Sequence, residues 1–229
     1  MDAAAPVLSI DGQTVPFQPG DTVLQAALAA GLNIPHLCYH PEVGAIGSCR
    51  LCVVDVDGRK LSACTVPAAA GQAIASASPA LRKLRSHIVS MLLEQGRHHC
   101  LHCARTGDCR LQDAATELNV PAAVPSASYI PPLDDSHPEV ALDRGHCILC
   151  GVCIQASREL DHKNLFTFTG SGANTWLAVN STSGLLQDSA IAPTDHAVRL
   201  CPVGALTVKS APTENFASFD FFDTAAWGG

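Results

Sequence analysis

Apolar and polar residues alternate through the first segment of the chain. The alternation runs from Val7 to Phe17 around Asp11-Gly12, a pair that favours a tight turn, and so predicts a β-hairpin. Asp21 is the predicted N-cap of a helix that ends at Gly31. A hairpin followed by a helix is typical of the start of a β-grasp domain, which we assign to residues 1–77.

A second hairpin is predicted by a run rich in β-branched residues. Val53 to Val56 predicts a strand that turns at Asp57-Gly58 into a partner strand over Lys60 to Ala63. Cys64 then lies at the end of this hairpin.

Helical periodicity begins after the second hairpin. Ser78 before Pro79 is a strong start signal, and apolar residues then recur at helical spacing until Gly96. A shorter helix is predicted from Leu111 to Leu118. We therefore assign residues 78–120 to a helical segment.

A proline-rich stretch then interrupts the pattern. It predicts a linker over residues 121–139, with Pro121, Pro125, Pro131, Pro132 and Pro138. The last predicted domain, residues 140–229, has short strand signals at Leu165 to Phe168 and at Trp176 to Val179. A short helix is predicted just before Cys201.

Composition limits the possible classes of protein. Of the 229 residues, 47% are hydrophobic and 15% are charged, as expected for a folded rather than a disordered chain. The net charge of -7 leaves one short cationic patch, formed by Arg82, Lys83 and Arg85. We therefore expect no nucleic-acid partner.

The sequence shows no targeting signal and no membrane-spanning segment. No stretch approaches the roughly 20 apolar residues that a membrane helix needs. We therefore expect a cytoplasmic protein without membrane contact. In that reducing compartment the eleven cysteines are expected to be metal-binding thiolates rather than disulfides.

The cysteines fall into three groups, of which the last gives the sharpest signal. Cys147, Cys150 and Cys153 form C-x2-C-x2-C, and the remote Cys201 is followed by Pro202. Three evenly spaced thiolates in one loop can reach three irons of a cubane, and a remote Cys-Pro is part of the bacterial ferredoxin pattern. Structural zinc favours two separated pairs instead. The last group therefore predicts a [4Fe-4S] cluster.

The first group contains four cysteines with ten, two and eleven residues between them: Cys38, Cys49, Cys52 and Cys64. Four thiolates suit a [2Fe-2S] cluster or a zinc ion equally. The β-grasp context and the glycine-containing loop before Cys49 favour the [2Fe-2S] cluster, because backbone N–H groups of such a loop can approach cluster sulfurs. Zinc stays the alternative.

The middle group has only three cysteines, Cys100, Cys103 and Cys109. A four-coordinate metal centre at this group therefore needs a ligand of another type. Histidine is the expected donor, and the nearby candidates are His98, His99 and His102, with Asp108 as a weaker one.

Three strings of sequence, in this order, resemble one family: GSCRLCVVDVDGRKLSACTVPAAAG (Gly47 to Gly71), CLHCARTGDCRLQ (Cys100 to Gln112) and HCILCGVC (His146 to Cys153). They resemble the N-terminal electron-transfer region of the large iron-sulfur subunit of respiratory complex I. That region is shared by the small diaphorase subunit of soluble NAD-reducing [NiFe]-hydrogenases, by some iron-only hydrogenases and by NAD-dependent formate dehydrogenases. The resemblance covers Val7 to about Val208.

The resemblance implies an α+β protein with three parts. These are an N-terminal β-grasp [2Fe-2S] ferredoxin-like domain, a helical His/Cys cluster segment and a C-terminal ferredoxin-like [4Fe-4S] domain. It further implies one [2Fe-2S] cluster at the first cysteine group and two [4Fe-4S] clusters, one at the last group and one, with a histidine ligand, at the middle group.

His98 is the histidine that the resemblance favours. Relatives from complex I and formate dehydrogenase place their histidine four residues before the first cysteine of the group, where this chain has Gly96. Relatives from hydrogenases place it two residues before, as His98 precedes Cys100. One intervening residue also gives the backbone room to aim both side chains at one cluster, so His99 is the fallback.

The function that the resemblance implies is electron transfer within an NAD-reducing hydrogenase complex. The chain would be a non-catalytic subunit that relays electrons between a flavin- and NAD-binding diaphorase subunit and the hydrogenase small and large subunits. The G-S-G at Gly170 to Gly172 lacks the third glycine of a dinucleotide fingerprint, so NAD and flavin are expected on partners. The alternatives are the equivalent subunit of a formate dehydrogenase or complex I-like NADH dehydrogenase and, in a different class, a zinc-stabilised interaction module.

Overall fold

A computed structural model describes residues 5–98, 100–121 and 132–209. Three predictions fall outside these ranges: the fallback ligand His99, most of the predicted linker, and residues 210–229 of the last predicted domain. Among the described residues, no helix has both the length and the apolar character needed to cross a membrane.

A five-stranded mixed sheet and one helix build the N-terminal part. The sheet has the strand order β2-β1-β7-β5-β6, in which β1 and β7 are parallel and the other neighbours antiparallel. The elements are β1 (Val7–Ile10), β2 (Gln13–Pro16), α1 (Val23–Ala29), the short pair β3 (Tyr39–His40) and β4 (Gly44–Ala45), β5 (Val53–Val56), β6 (Arg59–Ser62) and β7 (Ala73–Ala75).

Both predicted hairpins are confirmed, and their turns have the same backbone conformation. Asp11 and Gly12 have φ angles of 50° and 84°, and Asp57 and Gly58 have 50° and 83°. Two consecutive left-handed residues form the type I′ turn, whose twist matches that of the strands on either side.

The N-cap of α1 differs from the prediction. Thr22, not Asp21, caps the helix: its side chain accepts a hydrogen bond from the Gln25 N–H at 3.3 Å, and the Gln25 side chain accepts one from the Thr22 N–H at 2.8 Å. Asp21 instead accepts a hydrogen bond from the Gln18 N–H at 2.7 Å. The prediction for Asp21 was wrong because this reciprocal capping box satisfies two backbone donors at once.

Two helices form the middle of the chain: α2 (Pro79–Gln95) and α3 (Arg110–Glu117). Ser78 caps α2 by accepting a hydrogen bond from the Leu81 N–H at 3.3 Å, and Gly96 ends the helix. The predicted limits of α2 are therefore confirmed. A single 3₁₀ turn, Cys100–His102, lies between the two helices.

Within residues 132–209, the C-terminal part contains two small antiparallel sheets and two short α-helices. Its elements are β8 (Val140–Leu142), α4 (Val152–Glu159), β9 (Phe166–Thr169), β10 (Trp176–Val179), α5 (His196–Arg199) and β11 (Leu206–Val208). β9 pairs with β10, and β8 pairs with β11 although they are far apart in sequence. The predicted α+β class is thus confirmed.

Three hydrophobic cores hold the described elements together, and one of them is shared by the N-terminal, middle and C-terminal parts. The first core belongs to the N-terminal sheet, and another lies almost wholly within the C-terminal part. The shared core combines loop residues of the N-terminal part, α2, α3 and the C-terminal cysteine loop, including Leu37, Leu51, Val89, Leu93, Leu111, Ile148, Val152 and Val203. Cysteines of all three groups lie in or against the shared core.

Candidate metal centres

Three loops of the N-terminal part bring the first cysteine group together. Cys38 precedes β3, Cys49 and Cys52 lie between β4 and β5, and Cys64 follows β6. The Cys49 N–H donates a hydrogen bond to the Cys38 Sγ at 3.3 Å. Thiol contacts also join Cys38 to Cys49 and Cys64, and Cys52 to Cys64. The four thiols therefore form one connected set.

This contact network changes the acidity of the thiols. Hydrogen bonds from the thiols of Cys49 and Cys64 hold the pKa of Cys38 far below its usual range. The hydrogen bond with Cys64 lowers the pKa of Cys52 to about 7. The same hydrogen bonds raise the pKa values of Cys49 and Cys64 well above their usual range, so the four thiols share protons. Metal binding would displace these protons, because the thiolate is the form that ligates metals.

The third group surrounds a single cavity. Cys147, Cys150, Cys153 and Cys201 all line it, and most of the other lining residues are apolar, among them Ile148, Phe168, Leu177 and Val203. Burial raises the pKa of Cys147 to about 11 and the pKa values of Cys150 and Cys153 further. Four thiols facing one apolar cavity, two from buried and two from half-buried cysteines, form a donor set that fits a [4Fe-4S] cluster.

Two left-handed residues shape the loop of the third group. Leu149 has φ 54° and Gly151 has φ 81°. These reversals lie between successive cysteines and curl the backbone so that all three line the same cavity. A Cβ at Gly151 would lie 3.3 Å from Cγ2 of Ile46, so this loop also packs closely against the N-terminal part.

The middle group lies around the start of α3. Cys100 begins the 3₁₀ turn, Cys103 follows its last residue, and Cys109 is the N-cap residue of α3. Burial raises the pKa of Cys109, and electrostatic repulsion from the thiols of Cys100 and Cys103 raises it further. The Arg105 N–H donates a hydrogen bond to the Cys103 Sγ at 3.4 Å. The three thiols are therefore neighbours.

The candidate fourth ligands of the middle group differ sharply in burial. His98 is only 6% exposed, whereas His102 is exposed. The Asp108 side chain is 79% exposed and pairs with the guanidinium of Arg105 at 2.6 Å. Among the described candidates, His98 alone is buried.

The imidazole of His98 lies against the backbone of Gly96. A Cβ built at Gly96 would be 2.5 Å from Nε2 of His98, closer than Cβ atoms approach other heavy atoms. A side chain at position 96 and the present orientation of His98 therefore exclude each other. The His98 ring also lies 6.0 Å from the His146 ring, measured between centroids.

Three side chains for which the sequence predicted no role contact the cysteine groups, although Ser48 was expected to contribute its backbone to the loop before Cys49. The Gln112 side chain hydrogen-bonds to the Cys100 thiol. The Ser48 hydroxyl donates a hydrogen bond to the Cys150 carbonyl oxygen at 2.9 Å. Arg110 reaches residues on both sides of Cys38. The sequence could have indicated these residues only by their closeness to ligand cysteines. Their contact partners are distant in sequence and could not be predicted.

Within the described ranges, no three or more His, Cys, Asp or Glu side chains are arranged to hold one metal ion. An iron-sulfur cluster distributes its protein ligands over two or four irons, so its cysteines lie further apart.

Three family models match successive parts of the chain. The model described as a 2Fe-2S iron-sulfur cluster binding domain matches residues 6–79. The model of the NADH-ubiquinone oxidoreductase-G iron-sulfur binding region matches residues 85–122, and that of a 4Fe-4S single cluster domain matches residues 140–208. The N-terminal part is thus a 2Fe-2S domain and the C-terminal part a 4Fe-4S domain.

Similar proteins and structures point to the same class. The gamma subunit of the NAD-reducing hydrogenase HoxS from Cupriavidus necator is 29% identical over 88% of this chain and 86% of its own length. The 78 kDa subunit of NADH-ubiquinone oxidoreductase from Candida albicans is also 29% identical, but this chain spans only 28% of it. A chain in a crystal structure of an NAD+-reducing [NiFe]-hydrogenase in the H2-reduced state is 43% identical, with a TM-score of 0.87, 93% of this chain covered and 91% of that one.

Proposed function

The chain belongs to the family of iron-sulfur electron-transfer subunits of NAD-reducing [NiFe]-hydrogenases, and we propose that it relays electrons between a flavin- and NAD-binding diaphorase subunit and the hydrogenase small and large subunits. The chain is proposed to be non-catalytic itself. Hydride transfer and hydrogen oxidation would then take place on the partners' cofactors.

The shared core is the observation that carries this proposal. Cysteines of all three groups lie in or against one set of buried side chains, so the three candidate centres are neighbours in a single folded body. When bound, iron-sulfur clusters take up and release single electrons at potentials from roughly -700 to +450 mV, set by ligand type, charge, hydrogen bonds and exposure.

We assign the ligands of the outer groups by their donor sets. Cys38, Cys49, Cys52 and Cys64 would hold one [2Fe-2S] cluster, in the part of the chain that matches the 2Fe-2S domain. Cys147, Cys150, Cys153 and Cys201 would hold one [4Fe-4S] cluster in the cavity that they line.

The middle group would hold a second [4Fe-4S] cluster through Cys100, Cys103, Cys109 and His98. Two observations support His98. It is the buried candidate among the described residues, and its ring lies against the backbone of Gly96, the position at which relatives from complex I and formate dehydrogenase carry their histidine. Glycine at position 96 leaves the space that the His98 ring needs.

Contacts between the loops suggest the order in which electrons pass. Ser48, beside Cys49, donates its hydrogen bond to Cys150 of the third group. On the other side of the third group, the Arg97 N–H donates to the Gly145 carbonyl oxygen at 2.7 Å, next to the contact between His98 and His146. We propose that the third group connects the first group to the middle one.

Metal analysis and EPR spectroscopy test this function. Anaerobically purified protein should contain about ten irons per chain, two plus four plus four, and little zinc. A colourless protein that contains zinc would support an interaction module instead. About eight irons without a [2Fe-2S] EPR signal would remove the assignment of the first group. Saturable binding of NADH to the pure chain, measured by calorimetry, would contradict a non-catalytic role.

A further inference from the structure

Arg110 connects the middle cysteine group to the third group through its backbone. It follows Cys109 directly and begins α3. Its N–H donates a hydrogen bond to the carbonyl oxygen of Pro202 at 2.9 Å, and Pro202 follows Cys201. The position of Arg110 is therefore fixed by two cysteine loops before its side chain makes any contact.

The side chain of Arg110 is anchored at the first group. Its Nη1 donates a hydrogen bond to the Tyr39 carbonyl oxygen at 3.3 Å, and its Nη2 lies 2.6 Å from Nε2 of His36. Nδ1 of His36 lies 2.7 Å from the Ile34 carbonyl oxygen. Because a carbonyl only accepts, Nδ1 carries the proton and Nε2 accepts from Arg110. The guanidinium is thus held by residues that lie before and after Cys38 in the sequence.

The charge of Arg110 faces two cysteine groups. Burial lowers the pKa of Arg110, but a guanidinium stays protonated in proteins. Its charged surroundings are Asp113 and the thiol groups of Cys49 and Cys150, which belong to the first and third groups. In a partly buried position, the attraction between such charges is weakly screened by water.

We propose that Arg110 raises the reduction potentials of the first and third clusters together, by holding one permanent positive charge between their cysteine loops. The inference rests on the proposed function, since it requires both clusters. Reduction adds one negative charge to a cluster, and a nearby cation stabilises the reduced form. A charge common to both clusters moves their potentials in the same direction, which preserves the driving force between them.

Redox titration of the assembled complex, followed by EPR, tests this role. Arg110→Gln should shift the midpoint potentials of the first and third clusters to more negative values and should affect the middle cluster less. Arg110→Lys keeps the charge and should restore most of both shifts. Arg59→Gln is the control, because Arg59 is an exposed arginine in β6 with no assigned ligand within four residues, and it should leave all potentials unchanged.

Unchanged potentials in an Arg110→Gln complex that retains its iron would overturn the inference, as would equal shifts in the Gln and Lys variants. If Arg110→Gln does not retain its iron, His36→Ala tests the inference instead. This variant keeps the charge of Arg110 and removes the contact between its Nη2 and the His36 ring. A negative shift of the first cluster would then support the role, and no shift would overturn it. Absence of either cluster signal from the unmodified complex would instead refute the proposed function.

Discussion

The His98 ring fills the space that a side chain at Gly96 would need. A Cβ on Gly96 would lie 2.5 Å from Nε2 of His98, while the φ of Gly96, -121°, is one that any residue adopts. Space, and not backbone strain, therefore requires glycine here.

Gly96→Ala should displace the His98 ring and disturb the middle cluster, and it should also push against the Gly145 carbonyl oxygen, the nearest backbone atom. We expect an altered EPR spectrum for that cluster, or the loss of about four irons per chain, with the [2Fe-2S] signal retained. Gln95→Ala, at the exposed end of the same helix, is the control and should change neither. A Gly96→Ala protein with normal iron and spectra would show that His98 is not held by this contact.

His98→Cys should lower the midpoint potential of the middle cluster. A thiolate in place of a neutral imidazole adds one negative charge, and histidine ligation raises potentials in Rieske centres. EPR-monitored redox titration measures the shift, and His102→Cys, at an exposed histidine, is the control. If the His102 variant shifts the potential and the His98 variant does not, the ligand assignment is wrong.

Cys201→Ser should remove or alter the third cluster and leave the [2Fe-2S] signal of the first. Cys52 and Cys64 lie in the separate core of the N-terminal sheet, which the substitution does not touch. EPR spectra of the reduced protein distinguish the two signals. Loss of both would mean that the shared core makes the two ends cooperative, against the predicted division at residues 121–139.

Arg85→Met should destabilise the protein by about 3 kcal/mol, because it leaves buried carbonyl groups without donors. Arg85 is 5% exposed and donates hydrogen bonds to the carbonyl oxygens of Leu51, Ser76 and Val53, at 3.2, 2.8 and 2.7 Å. Arg85→Lys should recover little of the lost stability, since an ammonium group cannot donate to three separate carbonyl oxygens in the geometry of a planar guanidinium. Denaturant unfolding measures the loss of unfolding free energy, and Lys83→Met, at an exposed lysine, is the control. A loss below about 1 kcal/mol for Arg85→Met would contradict the prediction.

Asp11→Asn should cost about 1 kcal/mol at neutral pH, a value reduced by solvent exposure. Burial raises the pKa of Asp11, but hydrogen bonds from the Ser76 hydroxyl and from the Ser76 and Ala77 N–H groups outweigh it, so the pKa is lowered from 3.8. Because the folded pKa is depressed, this stabilisation is present above the unfolded pKa and lost as pH falls through the folded value.

The cost of Asp11→Asn should therefore be the same at pH 6 and pH 8, as thermal unfolding can measure. Asp57→Asn is a matched control, since Asp57 has the same φ of 50° in the second hairpin. It should have little effect at either pH. A cost that changes between pH 6 and pH 8 would mean that another group titrates with Asp11.

Local signals made the hairpins and α2 predictable. Asp11-Gly12 and Asp57-Gly58 specify their turns through backbone preference alone, and Ser78-Pro79 does the same for a helix start. The cysteine groups were also visible, because ligands of one centre must return to one point and so leave regular spacing.

Other features depend on partners distant in sequence and could not be predicted. β7 (Ala73–Ala75) has almost no alternating pattern, and pairing with β1 and β5 places it in the sheet. The burial of Arg110 against Tyr39 and His36 could not be predicted either, since 71 and 74 residues separate these contacts. The ligand set and the domain limits stay predictions.

The shared core has a consequence for how the protein matures. Cys38, Cys109 and Cys150 are buried in it, so its packing and the metal ligands use the same side chains. Close-packed interiors leave no path for an assembly factor to hand over a preformed cluster. We therefore expect the clusters to be inserted while α2, α3 and the C-terminal loop are still apart, and each inserted cluster to help the next element to dock. Biogenesis of the subunit is, in this sense, the last step of its folding.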